Sequence, residues 1–153
     1  MSTTLKEQLR SDLTDAMKAR DALTTSVLRM TLTAVSTAEV SGTESTTLDD
    51  TAVLAIIIGE VKRRVESAGI YAAAGRQELA ATEHAERGVL ERYLPAAMAD
   101  DELNTIVTEE VAAAAERGAT GPKAMGGIIG AVRARTGGAA ESSRIAAAVK
   151  AAL

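Results

Sequence analysis

Apolar residues recur at intervals of three and four along most of the 153-residue chain, the period of helices with one buried face, and continuous alternation of period two is absent. Leu5, Leu9, Leu13, Ala16 and Met17 follow Thr4 and Glu7, a pair able to cap a helix start reciprocally, so a first helix is expected to about Arg20. Asp21 is placed to cap a second, with an inward stripe of Leu23, Val27, Leu28, Leu32 and Val35. Residues 41–46, SGTEST, carry no period and read as a loop. Thr47 with Asp50 suggests another capping pair, ahead of a long third helix marked by Val53, Leu54, Ile57, Ile58, Val61 and Val65.

The stretch 71–95 holds a helix end, a restart and a stop. Gly75 follows an Ala run and is suited to the left-handed conformation that ends helices. From Gln77, the residues Leu79, Val89, Leu90, Tyr93 and Leu94 fall mainly on one face of a fourth helix, and Pro95 stops it by removing a backbone donor. Beyond Pro95 a fifth helix is expected from Asp100 to Arg117, with Leu103, Ile106, Val107, Val111 and Ala114 inward and Gly118 at its end. Pro122 suits a first helical turn, and Met125, Ile128, Ile129 and Val132 mark a short sixth helix carrying Gly126, Gly127 and Gly130. Thr136, Gly137 and Gly138 break it before a last helix from Glu141 to Leu153. The pattern predicts an all-α protein: a four-helix N-terminal subdomain over residues 1–95 and a three-helix C-terminal subdomain over 96–153.

Composition sharpens this picture. Phe and Trp are absent and the only aromatics are Tyr71 and Tyr93, so the cores are expected to be built from Leu, Ile, Val, Met and Ala in closely packed helices. The chain has no Cys, which excludes disulfides and thiol chemistry. It shows neither a signal-peptide core nor an apolar run long enough to span a bilayer, so a cytoplasmic protein without membrane contact is expected. The net charge of −4 opposes a surface that attracts polyanions everywhere. From Pro122 onward, however, Lys123, Arg133, Arg135, Arg144 and Lys150 face only Glu141, a local excess of four positive charges.

Groupings that carry chemistry are scarce. His84 has no second His or any Cys with which to hold a metal and is expected on the surface. Glu83 and Glu86 could share a proton or a hard cation, but an ion pair at helical spacing, such as Glu83 with Arg87, is the simpler expectation. Residues 118–123 have the wrong spacing for a phosphate-binding loop, and no strained serine elbow occurs. No intrinsic catalysis, metal or cofactor is expected. The glycines of the sixth helix suggest a backbone that something approaches closely, either another helix or a phosphate held with Lys123 at a helix N-terminus. Arg133, Arg135, Arg144 and Lys150 could extend such a contact along a nucleic-acid backbone, read by shape rather than by base stacking. No DNA partner is expected.

The run Gly75, Arg76, Leu79, Glu83, Glu86, Tyr93, Leu94, Pro95 resembles the signature of the YqeY family of small bacterial proteins. Arg29-Met30, Met125-Gly126 with Gly130 and Val132, and Gly138 with Ala140 extend the resemblance over nearly the whole chain, whereas Glu141 and Ser142 stand where that family commonly has Asp-Gly. The family is related to the C-terminal tail of the GatB subunit of the glutamine-dependent aspartyl/glutamyl-tRNA amidotransferase. The resemblance implies two helical subdomains and a tRNA association without the amide-transfer chemistry, which lies in other domains of the larger enzyme, a carbon-nitrogen ligase. It marks Gly75, Arg76, Leu79, Tyr93, Leu94, Pro95 and Gly126 as signature positions with structural roles.

Two functions follow as expectations. One is a tRNA-binding accessory module using Lys123, Arg133, Arg135, Arg144 and Lys150. The other is a protein-interaction module that binds an amidotransferase or an aminoacyl-tRNA synthetase through an apolar groove between the subdomains.

Overall fold

A computed structural model describes residues 2–153, and its regular structure is helical throughout. The helices are α1 (Leu5–Lys18), α2 (Ala22–Glu39), α3 (Asp50–Ala73), α4 (Gln77–Glu91), α5 (Asp100–Glu116), α6 (Met125–Thr136) and α7 (Ser142–Ala152), with a 3-10 turn at Pro122–Ala124 before α6. The chain divides into two units, Met1–Leu94 with α1 to α4 and Pro95–Leu153 with α5 to α7.

Helix ends follow local chemistry. Thr4 Oγ1 accepts from Glu7 N at 3.2 Å while Glu7 Oε2 accepts from Thr4 N at 2.9 Å, the reciprocal cap expected for α1. α1 stops at Lys18, two residues before the expected end, because Arg20 takes a left-handed φ of 56° that turns the chain into Asp21. Asp21 caps α2 through Thr24 N at 3.1 Å and Thr24 Oγ1 at 2.7 Å, which holds its carboxyl below the usual range. The expected Thr47–Asp50 cap does not form. Asp49 accepts from Ala52 N instead, and Asp50 reaches across to accept from Leu5 N at 2.9 Å, tying the start of α1 to the start of α3. α3 ends at Gly75, φ 75°, where Gly75 N bonds Ala72 O and Arg76 N bonds Tyr71 O, the paired bonds that a left-handed residue makes possible.

In the first unit Leu9, Val27, Leu28, Val35, Val53, Ile57, Val89 and Leu90 form a core, each 3% exposed or less. With no Phe or Trp, this core is filled by branched aliphatic side chains, and burial of each stabilises by about 1.5–3 kcal/mol. Five residues of the expected apolar stripes are exposed instead: Met17 is 49%, Leu23 36%, Ile58 37%, Val65 45% and Leu79 41% exposed. Adjacent helical residues stand about 100° apart, and the inward places beside these five are taken by Ala16, Thr24, Ile57, Arg64 and Ala80, all buried. In the second unit Leu103, Val107 and Ala114 of α5 meet Ile128 and Val132 of α6, Ile145 and Val149 of α7, and Ala140.

Polar groups cross-link the first unit. Arg64, 4% exposed, donates from Nη1 to Glu60 Oε2 at 2.9 Å and from Nε to Glu86 Oε2 at 3.2 Å, joining α3 to α4. The expected Glu83–Arg87 pair is not formed: Arg87 Nε lies 3.2 Å from Glu91, one turn on, and Glu86 turns to Arg64. Tyr93, just past α4, donates its hydroxyl to Asp12 Oδ2 at 2.5 Å. Lys6 Nζ lies 2.6 Å from Glu39 Oε1, and Leu48 N donates to Glu39 Oε2, which together hold the Glu39 carboxyl below its usual range.

Glu60→Ala leaves Arg64 buried with a weakened partner set and is expected to destabilise the chain by about 3 kcal/mol in chemical denaturation. Burial first, and then the bond to Asp12, push the Tyr93 phenol above its ordinary value of 10.0. The folded state therefore holds this proton more tightly than the unfolded chain, so the contribution is complete below about pH 10 and lost as pH rises further. Stability measured from about pH 8 to 11 should fall more steeply above pH 10 in the native protein than in Tyr93→Phe.

Candidate nucleic-acid interface

The five basic residues singled out after Pro122 divide into two groups. Arg135 on α6 donates from Nη2 to Glu109 at 2.7 Å and from Nη1 to Glu110 at 3.2 Å, both on α5, and these bonds raise its already high pKa. Arg144 on α7 donates from Nη2 to Met98 O at 2.9 Å and to Asp100 Oδ1 at 2.8 Å. These two guanidinium groups pin α6 and α7 to α5 and to its lead-in, where Met98 N also bonds Ala139 O at 2.7 Å. Lys123, Arg133 and Lys150 are exposed, and no ion pair or side-chain hydrogen bond engages them among the described residues.

The acidic partners Asp100, Glu109 and Glu110 escaped the sequence reading. A charge count confined to residues after 122 cannot register carboxylates that another helix brings alongside, and nothing in the spacing of Glu109 and Glu110 announces that they pair with Arg135. Asp100 sits in the first turn of α5, a favourable place for a negative charge, and it also anchors Arg144.

Lys123 lies inside the 3-10 turn, where Ala124 N bonds Gly121 O and Met125 N bonds Pro122 O, so these donors are engaged rather than free for a phosphate. Gly126, Gly127 and Gly130 are exposed, and a Cβ built on any of them meets nothing within 4 Å. Among the described residues no other helix of the second unit packs on them, which removes close packing within the unit as their reason. Gly126, Gly130 and Arg133 follow one another at intervals of four and three, so one side of α6 offers bare backbone leading to an unpaired guanidinium. That surface admits a bulky, flat or charged partner to backbone distance.

The other singled-out residues have settled positions. Gly75 and Arg76 form the α3–α4 turn, with both exposed, and Leu94 packs half-buried against the first core. Pro95 is exposed at the start of the second unit. His84 is exposed on α4. Among the described residues no group of three His, Asp or Glu side chains is placed to hold a metal ion, and no helix is long and apolar enough to cross a membrane. A surface depression lined by Thr4, Gln8, Asp50 and Tyr93 has its strongest polar groups committed, Asp50 to Leu5 N and Tyr93 to Asp12.

Comparison with known proteins agrees with this architecture. Residues 6–153 match the family model described as Yqey-like protein. The "Altered inheritance of mitochondria protein 41, mitochondrial" of Meyerozyma guilliermondii is 35% identical over 86 residues, which are 56% of this chain and 44% of that protein. The aligned part thus spans under half of the relative's length. Since the family model covers nearly every residue, both helical units included, the chain belongs to the Yqey-like family.

Proposed function

We propose that the chain is a non-catalytic accessory module whose C-terminal unit contacts tRNA through the open side of α6. The observation that carries this reading is the alignment of Gly126 and Gly130 with Arg133, with Lys123 one turn ahead of Gly127, on a helix face that the other helices of the second unit leave open. Glycines let a phosphate backbone approach the helix, and two unpaired cations supply the charge. Lys150 adds a third cation on α7. Arg135 and Arg144 take a different role from the one expected of them: they hold the unit together and orient α6, and their charge is largely answered by α5. With two tyrosines as its only aromatics the chain has few stacking platforms, which favours recognition of a folded RNA by shape.

A second reading is favoured by the surface where the end of α1 meets the first half of α2. Met17, Leu23 and Met30 are 49%, 36% and 53% exposed there, and Arg29 Nη2 reaches Met17 Sδ at 3.7 Å. Such a mixed apolar and basic surface suits a protein partner, with an amidotransferase or an aminoacyl-tRNA synthetase as the partner to try first. Partners that survive nuclease treatment in a pull-down support this reading, and partners lost on digestion support the RNA-mediated one.

The tRNA reading predicts affinity that falls with salt. Two or three phosphate contacts give a roughly ten- to fortyfold loss between about 50 and 200 mM salt. Lys123→Glu combined with Arg133→Glu should weaken tRNA binding at least about tenfold and flatten that slope with the melting temperature unchanged. Arg135→Glu should instead lower the melting temperature, because it sets a third carboxylate beside Glu109 and Glu110. Millimolar binding with no salt slope would remove the tRNA reading.

A further inference from the structure

We propose that the solvent face of α3 is a self-association surface, on which a second copy of this chain lays its own α3 in antiparallel alignment. Positions 55, 58, 62, 65, 69 and 72 repeat at intervals of three and four, the spacing of a two-helix seam. They hold Ala55, Ile58, Lys62, Val65, Gly69 and Ala72, and all six are exposed. Ile58 is 37% and Val65 45% exposed although both lie well inside a 24-residue helix. The inward residues of α3 are Val53, Ile57, Glu60, Arg64 and Ala68, so the outward seam is a second line that the unit's own core does not use. A Cβ built on Gly69 meets nothing within 4 Å. A glycine inside a helix weakens it relative to Ala, and no contact within the chain gives Gly69 a reason to be small.

Two features select a second copy as the occupant. The first is size. An antiparallel alignment centred between Arg63 and Arg64 sets Ile58 of each copy over Gly69 of the other, Ala55 over Ala72, and Lys62 over Val65. Each pair occurs twice, as a two-fold interface requires, and Ile58, the bulkiest apolar side chain of the seam, falls on the bare Gly69. The second is charge. Lys62 and Glu66 take part in no ion pair among the described residues, whereas neighbouring Arg63 and Arg64 both pair with Glu60. In this alignment Lys62 comes beside Glu66 of the second copy, twice over the interface. A parallel alignment would instead stack Lys62 on Lys62.

The seam extends over about 27 Å of helix, which places it among small interfaces with micromolar association. Sedimentation equilibrium of the full chain from about 1 to 500 µM is expected to show a monomer–dimer equilibrium. Val65→Lys, which sets a second ammonium over Lys62 of the other copy in both symmetry-related pairs, should raise the dimer dissociation constant at least about tenfold with helix content and melting unchanged. Lys62→Glu alone should weaken the dimer, and Lys62→Glu with Glu66→Lys in the same chain should restore it. The chain contains no Cys, so an Ala55→Cys variant mixed with an Ala72→Cys variant should give a disulfide-linked dimer on mild oxidation that neither forms efficiently alone. A monomer at every concentration overturns the proposal and leaves the face to another partner or to none. A dimer insensitive to Val65→Lys, or one not restored by the double charge reversal, overturns it as well.

Discussion

The first unit depends on one buried guanidinium. Arg64 occupies an inward position of α3, between Ile57 and Ala68, where an apolar side chain would ordinarily stand. It is tolerated because Glu60 and Glu86 neutralise it from both helices and because Nη1 also donates to Glu60 O at 3.1 Å. Loss of either carboxylate leaves a charge in a place that water does not reach freely, and that penalty exceeds what the pair contributes when intact. The network therefore acts as a register pin. The register of α4 along α3 that brings Glu86 to Arg64 also buries Ala80. The same register delivers Tyr93 to Asp12, closing α4 onto α1.

Small residues explain why such a pin is needed. Ala68 and Ala80 bury little apolar area, so the distal part of the α3–α4 hairpin gains less from burial than the end where Val53, Ile57, Val89 and Leu90 meet. Charged hydrogen bonds supply direction where packing alone is indifferent to a shift of one turn. The second unit uses the same device in a more exposed form. Arg135 and Arg144 tie α6 and α7 to α5, at sites where water screens the attraction and orientation matters more than energy.

Helix number, order and most boundaries were legible because they rest on local chemistry: the Thr4–Glu7 cap, Asp21 before α2, and the left-handed Gly75. What was not legible rests on partners distant in sequence. Glu86 and Arg64 are 22 positions apart, and Tyr93 and Asp12 are 81. A trace of the first pairing was present: Glu60 and Arg64 fall on the line of Val53, Ile57 and Ala68, and a charged pair four residues apart on an apolar stripe points to a buried network. The inward assignment of Val65 obscured it, since Val65 and Arg64 compete for one side of the helix and hydrophobicity alone chooses the wrong one. The candidate interface suffered the same loss. Five cations after residue 122 looked like one strip, and Arg135 and Arg144 left it once α5 was placed beside them.

The faces left open after this sorting are informative because they are costly. Gly126, Gly127 and Gly130 interrupt a 12-residue helix, and each glycine weakens a helix interior by about 1 kcal/mol relative to Ala. A protein is stable by only about 5–15 kcal/mol, so three such residues are a substantial fraction of its margin. Where a helix glycine touches a neighbouring backbone, packing offsets that cost. Here the other helices of the second unit do not touch them, and the RNA contact proposed for α6 would supply the compensation. The partner proposed for α6, which needs its bare backbone with Arg133 unpaired at the end of the strip, would account for both the missing side chains and the free charge. A helix stabilised only for its own sake would carry alanines there.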